Sequence, residues 1–307
     1  MLAVLAVALL PGLYWDQALS TASEVKQAGV ERLFAPPDQV AAWKTEGFDA
    51  LALDPAKFVK LPAPGVEYKM DVAAATSLPW VNANGWRFAR DGSQSYFYDA
   101  PWRRAALAAA EAYANGVAAV VHPDPRDLDR LGKMLAFLKS IDGPALPVMA
   151  NIGIVDDGSE ETAEVLNLMA RRNLLFRVVP AADPKLDLNV QIGSKDFPKD
   201  EAADPFAFAT LVRQKLTDEK RLLRLYGSDV VLGRLNGDAS EVRVHLINYG
   251  GGKVNGLRVR VRGEYAHGTL AAFGIQDARL TDYAVSDGGT EFTIPTIDVY
   301  AVVDLKR

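Results

Sequence analysis

The chain has no cysteine, and its three histidines, His122, His245 and His267, are scattered through 307 residues. Without thiols there is no disulfide framework and no cysteine nucleophile, and three distant histidines cannot build a Cys/His zinc site. No metal ligand set is therefore assigned, although a calcium site of aspartates and backbone carbonyls stays compatible with the composition. Clustered basic charge is missing too. A net charge of −5, with no run of lysine or arginine, gives no electrostatic footprint for nucleic acid. Beyond the first eleven residues no segment approaches the ~18 apolar residues that span a bilayer. Three catalytic or cofactor motifs are also absent: a G-x-S-x-G elbow, a G-x-x-x-x-G-K-S/T loop, and a G-x-G-x-x-G turn after a strand. The glycine-rich run YGGGKVNG (249–256) reads as a hairpin turn, so no cofactor is expected.

What is present is core. Hydrophobic residues make up 49% of the chain, enough for one large or two medium globular domains. The opening MLAVLAVALLP resembles the apolar centre of a secretory signal, with Ala6-Val7-Ala8 in the small-residue pattern of a cleavage site, but lacks a charged start. It reads either as a trimmed signal, implying a secreted or periplasmic protein, or as a first core strand.

From residue 12 to 219 short apolar runs alternate with amphipathic helical ones. GLYWD, RLFAP, DALALD, PWVNA, VAAVVHP, PVMANIGIVD, LLFRVVP and LDLNVQIG read as strands. The segment 101–116 opens on Pro101, closes on Gly116 and reads as a helix, and Ser159 heads a Ser-x-x-Thr helix cap. Strand–helix alternation predicts a parallel sheet, and eight strands over this length fit a TIM-barrel-like (β/α) domain over 12–219. The rival is two smaller parallel sheets with a break near 144–147. From 220 to 307 the period changes to two. In RVRVRG the alternation puts Val259 and Val261 on one face and Arg258, Arg260 and Arg262 on the other, within an antiparallel β-sandwich domain.

VHLINYG (244–250), GLRVRVRG (256–263) and FTIPTIDVYAVVDL (292–305) resemble the C-terminal β-sandwich that follows the catalytic barrel in many bacterial glycoside hydrolases. Upstream, WVNANGWRF, ALAAAEAYANG and NIGIVDDGSEETAEVLNLMARRNLLFRVV are similar to uncharacterised members of that broad group. The resemblance covers most of the chain in element order and is specific over the last 60 residues or so. It implies a carbohydrate-active protein and carries over no catalytic motif. In some such enzymes an amidotransferase-like α/β domain follows the barrel, which would account for 146–217 instead.

Ligands of parallel α/β folds lie at the carboxyl ends of the strands. Those ends carry Trp15 and Asp16, then Asp54, then Asn82, Asn84, Trp86 and Arg87, then His122 and Asp124, then Asp156 and Asp157. Aromatic faces with Asn, Asp and Arg suit a sugar. Glycoside hydrolysis needs one protonated and one ionised carboxyl, so Asp16, Asp124 and Asp156 are the candidate catalytic residues. Trp15, Asp54, Asn82, Asn84, Trp86, Arg87 and His122 are the candidate sugar-binding residues, with NANGWRF as a binding loop. No glutamate ends a strand, which disfavours the common two-glutamate arrangement. Each carboxylate has a plainer reading: Asp16 as a helix N-cap, Asp54-Pro55 and Asp124-Pro125 as turn starts, Asp156 and Asp157 as helix-dipole partners. Glu111 reads as a buried partner of Arg103 or Arg104. If the plainer readings hold throughout, the chain is a carbohydrate-binding or accessory protein, or an assembly protein whose barrel is a relic. Oligomeric state is not encoded in any of these patterns.

Overall fold

The computed structural model describes residues 10–67, 79–144 and 146–307, so Ala6-Val7-Ala8 lies outside it. The described residues form two compact units, one drawn from Met1–Gly65 and Ser93–Ala145, the other from Val66–Gly92 and Leu146–Arg307.

The chain begins with β1 (Gly12–Leu13), α1 (Ala22–Gln27), β2 (Arg32–Ala35), α2 (Val40–Thr45), β3 (Asp49–Ala52) and β4 (Val59–Leu61). Next come β5 (Gly65–Glu67), β6 (Trp80–Asn82) and α3 (Gly85–Arg90). Then follow β7 (Ser95–Ala100), α4 (Ala105–Asn115), β8 (Ala118–Pro123) and α5 (Leu128–Lys139). In the first unit β4, β7, β8 and β1 form a parallel sheet, β2 and β3 form a parallel pair, and a parallel bridge from Tyr14 to Phe34 joins the two. The continuous order is β3-β2-β1-β8-β7-β4. Along the chain β1 is the first strand of this unit and β8 the last, and the two are neighbours, the relation found in a (β/α) barrel.

A closed eight-stranded barrel is not formed among the described residues. No ladder joins β3 to β4, and residues 53–58 between them carry only a 3-10 turn. Parallel neighbours need a crossover of about a dozen residues, so this link is too short to close the sheet. The runs expected to supply the last three barrel strands form their own sheet in the second unit. The strand β7, from the aromatic run SYFYDA, takes the place beside β8 expected for PWVNA, and Trp80–Asn82 pairs as β6 with β5 instead.

Packing in the first unit explains its helices. Ten residues of α4, Ala105–Ala114, are buried, which small alanine side chains permit on every face. Its Glu111 accepts a hydrogen bond from the Tyr98 hydroxyl at 2.7 Å, both groups being buried. The helix ends where Gly116 turns left-handed (φ 65°), as its place in the sequence predicted. It begins later than expected, at Ala105 instead of Pro101, because Arg103 adopts a positive φ that no helix accommodates. Gly132 lies where α5 meets α1: a Cβ there would fall 2.0 Å from the Ala28 carbonyl oxygen.

The second unit continues with β9 (Ile152–Val155), α6 (Glu160–Arg171), β10 (Phe176–Val179), β11 (Leu188–Val190) and α7 (Pro205–Leu216). The parallel sheet β10-β9-β11 packs Ile152 and Ile154 against Val165, Leu166 and Met169 of α6 and Phe208 and Val212 of α7. Ser159 caps α6 by accepting from the Thr162 N–H at 3.2 Å. Eight strands follow: β12 (Leu223–Tyr226), β13 (Val231–Gly237), β14 (Glu241–Asn248), β15 (Val254–Arg262), β16 (His267–Ala272), β17 (Thr281–Ser286), β18 (Gly289–Ile297) and β19 (Tyr300–Lys306). They pair antiparallel into two four-stranded sheets, β12-β15-β18-β17 and β13-β14-β19-β16, around one apolar core. Val259 and Val261 point into that core, each worth about 1.5–3 kcal/mol of burial. Arg258 and Arg260 lie on the opposite face, bound to Glu291, and Arg262 binds Asp187 there.

Candidate functional site

In the first unit three parallel strands end side by side. Asp99 of β7 and His122 of β8 are register partners, so their side chains stand at the same level of the sheet. The chain leaving β1, next to β8, brings in Asp16. His122 Nδ1 lies 3.0 Å from Asp99 Oδ1, and His122 Nε2 lies 3.2 Å from Asp16 Oδ1. Asp16 also accepts from Gln17 Nε2 at 2.8 Å. Tyr14 packs edge-on to the imidazole at 5.4 Å and to Phe97 at 5.5 Å, holding the ring in orientation. The His122 side chain is 24% exposed and that of Asp99 80%, so the ring is sheltered while one carboxylate opens to solvent.

Both ring nitrogens therefore face carboxylates. The imidazolium can donate to both at once; the neutral ring can donate to one only. Neither nitrogen is free to ligate a metal, and among the described residues no group of His, Asp or Glu is placed to hold one. Burial raises the Tyr14 phenol pKa first, and the charges of Asp16, Asp54 and Asp38 add to that effect. Several acids thus converge on one edge of this sheet.

Asp16 is not a helix cap: the next helical turn is headed by Ala18 and α1 by Thr21. Asp54 is a turn start, accepting from the Ala56 N–H at 3.0 Å. Asp124 accepts from the Arg126 N–H at 3.0 Å and is gripped by the same residue's guanidinium, Nε at 2.9 Å and Nη2 at 2.7 Å. Those bonds hold its pKa down to about 2, so it stays ionised and cannot serve as an acid. Trp15 is 1% exposed and donates from Nε1 to Thr21 Oγ1 at 2.9 Å. It is a core residue with no ring face left for a sugar.

The NANGWRF stretch belongs to the second unit and is helix α3 with its lead-in, not an open loop. Asn84 is buried, its carbonyl accepts from the Arg87 and Phe88 N–H groups, and its Oδ1 accepts from Arg87 Nη1 at 3.1 Å. The Arg87 guanidinium stacks on the Trp86 ring at 4.2 Å, and Trp86 packs against the β9–α6 core. Asn82 donates to Glu67 at 2.6 Å. Asn84 and Gly85 supply a helix N-terminus in place of the expected binding loop, because Trp86 and Phe88 gain more by facing the core than the solvent.

Asp156, at the end of β9, is held by Arg90 through Nε at 2.6 Å and Nη2 at 2.7 Å, and accepts from the Gly158 N–H at 2.9 Å. The bond from Arg90 is the main reason its pKa is lowered, with the Gly158 bond adding to it against the opposing effect of burial. Asp157 is lowered to about 2, chiefly by the Ser159 hydroxyl and N–H and then by Thr162. Of the three candidate catalytic aspartates, Asp16 alone lies free of an arginine clamp. Its partner Asp99 is not among the candidates that the sequence offers. The signal for it was SYFYDA, an aromatic run bounded by Gly92-Ser93 and Pro101, which marks a buried strand ending in a carboxylate.

No protein-family model matches the chain, and no curated protein matches its sequence. Comparison with solved structures does find likenesses. Alpha-L-fucosidase isoenzyme 2 from Paenibacillus thiaminolyticus aligns with a TM-score of 0.56 at 9% identity, over 87% of this chain and 70% of that one. A GH42 beta-galactosidase from G. stearothermophilus aligns at 0.41 and 9% identity, over 81% of this chain and 53% of its own. A rhamnosidase from a Novosphingobium species aligns at 0.42 and 10% identity, over 69% and 31%. This chain thus spans about half the galactosidase and a third of the rhamnosidase. The likeness to the fucosidase is one of fold: parallel α/β layers followed by antiparallel sheets. Among the described residues no helix is long and apolar enough to cross a membrane.

Proposed function

We propose that the chain is a carbohydrate-active protein of glycoside-hydrolase type, whose reacting groups are Asp16 and Asp99 joined through His122. The observation that carries this reading is that two strand-end carboxylates meet at one imidazole. Separated by a single ring, they fall within the roughly 5–9.5 Å that divides glycosidase carboxyl pairs. An imidazole can take a proton at Nδ1 and release one at Nε2, so one carboxyl can be protonated while the other is ionised. In this reading Asp99, the more open of the two, faces the sugar as base or nucleophile. Asp16 and His122 store and deliver the proton that the leaving oxygen needs. The fold shared with the fucosidase supports the assignment to a barrel-type glycosidase, here with an open sheet.

A second reading is favoured by a specific observation. Asp124 and Asp156 are each locked by an arginine, and the imidazole fills the space between the two remaining carboxylates. A protein that binds glycan at these strand ends without cleaving it fits that arrangement. A panel of aryl glycosides and oligosaccharides, assayed for both binding and release, separates the two. Turnover by the wild type, lost in Asp16→Asn and Asp99→Asn and kept in Asp124→Asn and Asp156→Asn, supports the hydrolase. Binding without turnover supports the accessory protein. Neither binding nor turnover removes both.

A further inference from the structure

The turn between β7 and α4, residues 101–104, follows Asp99 directly and carries Trp102, which is 47% exposed. Two guanidiniums lie over its indole, Arg103 at 4.3 Å and Arg126 at 4.9 Å from a ring centroid. A guanidinium stacked on a ring keeps its planar fork of N–H donors turned outward, ready for a carboxylate. Arg126 shows that assembly complete: it stacks on Trp102 and grips the two oxygens of Asp124 at 2.9 and 2.7 Å. Arg103 lies over the same indole with no carboxylate of the described residues bound to it. Among the described residues its guanidinium has no hydrogen-bond or ion-pair partner. Its backbone is also held at φ 68°, a conformation that disfavours every residue with a side chain other than Asn or Asp. Strain of this kind collects where a side chain must be aimed.

We propose that Arg103 is the receptor for the carboxylate of a sugar acid, and that this strand-end site takes uronate-type saccharides. The inference rests on the glycosidase reading and names its substrate class. Asp16, Asp54 and Asp99 make this edge acidic, and an anionic sugar can settle there only where a cation offsets them. Arg126 is already bound to Asp124 and the Arg104 guanidinium lies against Gly65, which leaves Arg103. A planar carboxylate matches the bidentate fork better than a hydroxyl does, so the preference expected is for the acid over the neutral sugar of the same ring.

The test is equilibrium titration and initial rates with 4-nitrophenyl D-glucuronides and D-glucosides of both anomers, on the wild-type chain, Arg103→Gly and Arg103→Lys. Glycine removes the guanidinium yet suits φ 68°, so this variant is expected to fold at least as well as the wild type. The wild type is expected to favour glucuronide over glucoside by about tenfold or more, the scale of one charge-assisted pair. Arg103→Gly is expected to erase the preference without lowering Tm, and Arg103→Lys to keep part of it. Equal use of both sugars, or a preference that survives in Arg103→Gly, overturns the inference and leaves the glycosidase reading intact. Failure to bind or cleave any saccharide overturns both.

Discussion

Two carboxylates occupy the same topological position, the carboxyl end of a parallel strand, in different company. Asp156 ends β9 and is clamped by Arg90; Asp99 ends β7 and faces His122. A guanidinium does not give up its proton at any physiological pH, so Arg90 fixes Asp156 as an anion and pins α3 to the turn before α6. An imidazole can both give and take a proton, and His122 meets a carboxylate at each ring nitrogen. Strand-end position alone therefore does not make a reactive group. In the proposed reading, a neighbour able to lose a proton does.

The largest effects expected fall on the histidine side of this comparison. Asp16→Asn and Asp99→Asn should each lower turnover by roughly 10²–10⁴, the range for a general acid or base, with Tm nearly unchanged. His122→Arg, which rebuilds the arginine arrangement at the other site, should lower it as far; Asp156→Asn should leave it within a few-fold. Steady-state rates on the substrate found by the panel decide this. Next is Trp15→Ala. Since Trp15 is 1% exposed, this should cost about 3–5 kcal/mol in urea unfolding and weaken the site only through the fold. A near-neutral result would return Trp15 to the binding surface.

On the arginine side, Arg90→Ala leaves Asp156 unpaired with its side chain 13% exposed. The expected loss is about 2 kcal/mol, below the 3–5 kcal/mol of a fully buried broken pair because water still reaches the carboxylate. Denaturant melts measure it, and glycoside turnover per folded molecule should not change. The smallest effect is in pH. The folded pKa values of Asp156 and Asp157 lie below the unfolded value near 3.9, Asp157 at about 2. Their contribution to stability is thus present above about pH 4–5 and is lost as pH falls toward 2. Asp157→Asn should flatten that acid limb in thermal melts recorded from pH 6 to pH 2. An unaltered limb would place its origin elsewhere.

Much of this was legible locally. The left-handed Gly116, the Ser159 cap and the inward Val259 and Val261 all follow from residues within a turn or a strand of one another. So did the change from strand–helix alternation to period-two strands. Properties set by distant partners were not legible. Arg90 and Asp156 are 66 positions apart, and no spacing rule joins them. Trp15 carries the same side chain whether it faces a sugar or a core, and only the Thr21 hydroxyl and the surrounding burial decide. The NANGWRF run misled for the same reason: Asn, Gly, Trp and Arg suit a binding loop, yet here they satisfy one another and the β9–α6 core. Barrel closure failed on a local fact with a global consequence, the short link 53–58.

The central claim is that Asp16 and Asp99 act as one unit through His122. A double-mutant cycle in kcat/KM tests it most directly, with Asp16→Asn, Asp99→Asn and the pair measured on the preferred glycoside. Residues that work as a unit are strongly non-additive, so the double variant should lose no more than about what the worse single variant loses. Losses that multiply, or single variants that turn over like the wild type, would contradict the account.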